Sequence, residues 1–141
     1  MKSAVLEYVV QSFVFQHCFE KKLQYEGEFG MKKVGWAVEE MVAMVDLYYR
    51  DKNGEVEDLS AELERLSIKL NDRADKLHIE HDEKYRNLNG MKMIFENVRH
   101  IDMKDSAGLE NASKLIGEVL KLYKEHYDLF KRILKEFHSL Y

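Results

Sequence analysis

"EDLSAELERLSIKLN" occupies residues 57–71, and its leucines, Leu59, Leu63, Leu66 and Leu70, are spaced four, three and four apart. On an α-helix that spacing draws one narrow apolar stripe, whereas a half-buried strand would alternate. A coiled coil would need more heptads, so the stripe points to packing on a core. The rest of the chain agrees. Its 141 residues contain no proline and only seven glycines. Many short strands joined by turns would need more of both. The expected fold is all-α: a compact helical bundle with a central helix-turn-helix-like trihelical unit and a long C-terminal helix.

A mass of 16.8 kDa suits one domain with one core. Hydrophobic residues at 45% and charged residues at 34% mark a soluble globular profile. Cys18 is the sole cysteine. It excludes an internal disulfide and a four-cysteine zinc site, and the expected location is cytoplasmic. Residues 1–30 are set apart as an N-terminal apolar helix or leader and residues 31–141 as the helical accessory domain, the two expected to form one folding unit. The run "AVLEYVVQSFVFQHCF" contains Glu7, Gln11, Ser12, Gln16 and His17 and is followed by "EKK". It is therefore too polar for a membrane span and lacks the layout of a signal peptide. A buried or partner-facing helix over residues 3–24 is expected, although β-branched and aromatic content leaves a strand open.

Gly27 and Gly30 close that first helix. A second starts near Trp36 with Met41, Val42, Val45, Leu47 and Tyr48 as apolar positions, and Glu39 and Glu40 suit the dipole at its start. Asn53-Gly54 ends it. The third covers about residues 56–77. The fourth covers about 88–101, capped by Asn87 or Asn89, with Met91, Ile94, Phe95, Val98 and Ile101 at helical spacing. After a loop, one helix is expected from about residue 111 to the C-terminus. Leu115, Val119, Leu122, Leu129, Ile133 and Phe137 form its apolar side, widened by Ile116, Tyr123, Tyr127, Phe130, Leu134 and Tyr141. A face that broad implies two neighbours or a dimer contact.

Charge is unevenly distributed. The net formal charge is −4. Residues 33–83 hold seven basic and fourteen acidic side chains, but residues 84–104 hold five basic and two acidic. The positive block contains "EKYRNLNGMKMIFENVRHID", residues 83–102. Arg86, Asn87, Asn89, Gly90, Lys92 and Arg99 are its candidate nucleic-acid-binding residues. Arginine forks onto phosphate or guanine, asparagine pairs with adenine, and a glycine at a helix start lets backbone N–H groups approach phosphate. The competing assignment is structural: Arg86 pairs with an acid of the negative block, while Asn87 and Asn89 cap.

Other candidates are weaker. His78 and His81, with Glu80 and Asp82, could share a helix face and bind metal, but no further ligand is placed by sequence. Arg73 and His78 match the spacing of the Arg and His in HEPN-type ribonucleases, without the polar residue and tyrosine that often accompany it. No nucleophile triad, phosphate-cradling glycine loop or di-iron pattern is present. No enzyme activity, cofactor or metal is implied.

The series "WAVEEMVAMVDLYYR", "EDLSAELERLSIKLN", "YRNLNGMKMIFENVRHID" and "GLENASKL" resembles a helical region found beside HNH nuclease domains and in some restriction-type helicases. The likeness covers about residues 33–115. It is most specific at Tyr85-Arg86-Asn87, Asn89-Gly90 and Asn97, with Trp36 as a core marker. The Trp-x-x-Glu-Glu start and helix order are also loosely similar to Myb/SANT modules. In the HNH-associated pattern a lysine commonly follows the glycine by four residues. Here that position is Ile94, and Lys92 lies two residues earlier, about 200° around a helix. The HNH cluster itself is absent. The resemblance implies a DNA-binding or DNA-associated accessory module of a restriction or defence system, with duplex DNA as partner. The alternative is a helical protein-interaction module, such as a phage or plasmid inhibitor, an antitoxin-like binder or a dimeric adaptor. It would use an acidic surface and contact a protein partner or a second copy through the terminal helices. No membrane partner is expected.

Overall fold

The computed structural model describes residues 34–104 and 110–141, with side chains of the second stretch from residue 114 onward. The expected first helix, Cys18 and the boundary at residue 30 lie outside the described residues. Five helices make up the described chain: α1 (Val38–Lys52), α2 (Leu59–Lys76), α3 (Leu88–Asp102), α4 (Glu110–Glu125) and α5 (Tyr127–Leu140). Among the described residues none is long and apolar enough to cross a membrane.

Helix α1 is the axis of the molecule. Val38, Met41, Val42, Ala43, Met44, Val45, Leu47, Tyr48 and Tyr49 are all buried, so it is apolar on every side. Such a helix must be enclosed, and α2, α3, α4 and α5 all pack on it. The leucine stripe of α2 does what its spacing requires: Leu63, Leu66 and Leu70 are buried, and Leu59 packs against the same core. That helix starts three residues later than its periodicity suggests, because the Asp58 carboxylate accepts from the Ala61 N–H at 3.1 Å and sets the cap. Met91, Phe95 and Val98 of α3 complete the inner layer.

The contacts set the directions. Arg86, just before α3, reaches Glu40 near the start of α1, and Asp102 at the end of α3 reaches Tyr48 near its end. Helices α1 and α3 therefore run the same way. Helix α2 runs oppositely, with Arg73 in its last turn against Glu39. The core draws on all five helices.

The expected long C-terminal helix is two helices. Its apolar positions keep one phase from Ile116 to Phe137, and no glycine or proline marks a stop. The chain nevertheless breaks at His126, whose φ of −137° and ψ of 54° are not helical. Aromatic rings surround the joint: Tyr123 stacks on Tyr49 of α1 at 3.8 Å and meets Tyr127 and Phe130 edge-on, each at 5.0 Å. The break lets α4 and α5 each lie against α1.

Candidate functional site

The residues around "YRNLNG" form a charged cluster inside the protein. Arg86 projects from the loop before α3. Its side chain is only 7% exposed and its partner Glu40 only 1%. The guanidinium donates from Nε to Glu40 Oε2 at 3.0 Å and from Nη2 to Oε1 at 3.1 Å. It also donates to the carbonyls of Val34 at 3.2 Å and Gly35 at 3.0 Å. The Trp36 and Tyr85 rings lie 4.5 and 4.4 Å from its central carbon. This forked pairing is the strong form of an Arg–carboxylate contact, and the rings add cation–π attraction. Arg86 pays for none of this in isolation: its φ of 48° is left-handed, a conformation costing about 1–2 kcal/mol for an L-residue. Helix α2 holds it there. The Ser67 hydroxyl donates to the Arg86 carbonyl, and Asn71 donates to the Tyr85 carbonyl at 3.1 Å.

Glu40 has further donors. The Ala37 N–H lies 2.9 Å from Oε1, and the Tyr85 hydroxyl lies 3.4 Å from Oε2. Burial first, and then the charge of Glu40, push the Tyr85 phenol up to about 12, which keeps it a donor. Arg73, 4% exposed, pairs with Glu39 and lies 3.9 Å from Glu40. Two buried arginines thus face two acids of α1.

The other candidate residues have separate fates. The Asn87 side chain accepts from the Gly90 N–H at 2.8 Å and caps α3. A Cβ at Gly90 would meet that same oxygen at 3.2 Å, so the glycine keeps the cap close. Asn89 and Lys92 are exposed, and Asn97 is half-buried. Arg99 bonds Glu96 on its own helix at 2.7 Å. The structure therefore does not bring Arg86, Lys92 and Arg99 into one basic strip. As placed, Arg86 and Asn87 serve the fold, because their polar atoms are engaged by Glu40, two carbonyls and a helix start. Trp36, expected in the core, is half-buried: it packs against the core and forms one wall of the Arg86 slot.

The histidine candidates do not converge either. His81 binds Asp75 at 2.7 Å, a contact that raises its pKa against the opposing effect of burial. His78 is exposed, whereas Arg73 points inward. Among the described residues no group of three or more His, Cys, Asp or Glu is placed to hold a metal ion.

A second polar centre was not legible from sequence motifs. Asp102 ends α3 with its side chain 4% exposed. It accepts from the Tyr48 hydroxyl at 2.7 Å and the Tyr49 hydroxyl at 3.1 Å, and it pairs with Lys52 at 3.1 Å and Lys124 at 3.0 Å. One carboxylate so clasps α1, α3 and α4. Burial opposes its ionisation, but the hydrogen bonds from Tyr48, Lys124 and Lys52 outweigh it and hold the pKa well below the usual range. The folded pKa is below the unfolded value, so the clasp contributes fully above about pH 4 and is lost as pH falls through the folded pKa. Asp102→Asn is expected to cost about 1.5–3 kcal/mol at neutral pH and to flatten the acid limb of the stability profile. Urea midpoints measured between acid and neutral pH test this; a variant with the parent's acid limb would remove Asp102 as its source.

Searches against protein-family models, curated proteins and solved structures return no match.

Proposed function

We propose that this bundle is a non-enzymatic protein-interaction module rather than a DNA-gripping one. The observation that carries this is the position of Arg86: the one arginine of "YRNLNG" is enclosed by Glu40, two carbonyls and two rings. The outward side of α3 is mixed, with Lys92, Glu96 and Arg99 following one another at helical spacing. The better docking face is on α2. Glu64, Ile68 and Asp72 recur every four residues and are exposed, Ile68 to 58%. Neither acid has an ion-pair partner among the described residues. An exposed isoleucine between two unpaired carboxylates fits a basic protein surface that also offers an apolar contact.

Two measurements test this. Titration with duplex DNA at low salt is expected to show no saturable binding. Affinity that falls and loses salt dependence in Lys92→Ala would restore DNA as the partner. A photocrosslinking residue at position 68 should capture a protein in cells. Once that protein is identified and purified, Glu64→Lys is expected to weaken its binding about tenfold or more.

A further inference from the structure

We propose that the basic surface fitting the α2 face is carried by a second copy of this chain, an inference that rests on the interaction-module reading above. Helix α5 lies beside α2. Lys69 Nζ meets His138 Nδ1 at 2.8 Å, and Lys76 Nζ donates to the Leu140 carbonyl at 2.8 Å while lying 5.5 Å from the Tyr141 ring. The outer side of α5 carries Lys131, Arg132 and Lys135, all exposed. None of the three has an ion-pair partner among the described residues. Lys131 lies 5.4 Å from the exposed Tyr127 ring, and Asp128 occupies the first turn, where it suits the helix dipole. Beside the basic Lys69 and Lys76, α2 therefore presents the unpaired acids Glu64 and Asp72, while α5 presents the unpaired bases Lys131, Arg132 and Lys135.

Side-by-side stripes of opposite charge are self-complementary about one kind of axis. A two-fold axis lying in the interface and running along the helices sets α2 of each copy on α5 of the other. An in-plane axis across the helices would set like charge on like. The first arrangement is isologous and closed, with every favourable contact made twice. In this arrangement the acids of α2 in one copy face the bases of α5 in the other, and Ile68 sits among the aliphatic stems of those bases. The footprint follows α5, whose 14 residues span about 21 Å. That places the buried area at the small end of specific interfaces. The association should accordingly be weak and sensitive to salt.

Sedimentation of the full chain across micromolar concentrations, at low and high salt, tests this. A concentration-dependent dimer is expected at low salt, dissociating as salt rises. Glu64→Lys and Lys135→Glu should each be monomeric, with the parent's circular dichroism and melting curve. Mixing these two variants should restore a heterodimer, because both α2–α5 contacts then join opposite charges. A parent that is monomeric throughout would overturn self-association. So would a dimer left intact by both substitutions, or a mixture that stays monomeric. The crosslink at position 68 separates the two readings: a product joining two copies agrees with self-association, whereas a product with another protein beside a monomeric parent keeps the docking face and overturns self-association.

Discussion

Glu40→Ala is expected to lose about 3–5 kcal/mol of folding stability, the usual cost of removing one partner from a buried ion pair. The loss is large against the 5–15 kcal/mol that holds most domains folded. Glu40 alone accepts both forks of the Arg86 guanidinium, and it also receives the Ala37 N–H. Without it, Arg86 would remain in its slot between Trp36 and Tyr85 with no opposing charge. Arg73 would keep Glu39, so the damage should centre on the loop before α3. Replacing both partners, Glu40→Met with Arg86→Met, should recover part of the loss, because no lone charge is left inside. Urea unfolding followed by circular dichroism measures all three proteins. A Glu40→Ala variant within about 1 kcal/mol of the parent would show that the pair is solvated and that Arg86 is available for a partner.

Phe95→Ala should cost a similar amount, about 3–5 kcal/mol, through lost burial and the cavity left behind. Phe95 is buried on α3 and meets the edge of Tyr48 at 5.8 Å. Tyr48 in turn donates to Asp102. A cavity at Phe95 would therefore loosen the Asp102 clasp, while Phe95→Leu should retain most of the packing. Urea midpoints for the two variants, with near-ultraviolet circular dichroism to report the tyrosines, test this. Equal stability of Phe95→Ala and the parent would mean that α3 does not turn this face to α1.

Local spacing was enough to place α1, α2 and α3 and much of the core. The leucine stripe of α2 is buried because a four-three-four spacing leaves those side chains on one face whatever the fold. Asn87 is recognisable as a cap because its short amide can reach the N–H three residues on. The cap and the ion pair at Arg86 were readable as possibilities, since fourteen acids precede it between residues 33 and 83. Which acid it meets is a long-range matter. Only packing brings Glu40, 46 residues away, against it, and that choice makes the arginine of the motif part of the interior. The Asp102 clasp and the break at His126 were hidden for the same reason. Asp102 meets tyrosines more than fifty positions away, and the break lies where Tyr123 stacks on Tyr49 of α1, with no glycine, proline or change of apolar phase to announce it. Periodicity is a property of neighbours along the chain, whereas the partners of a charge and the bend of a helix depend on what the other helices place beside them.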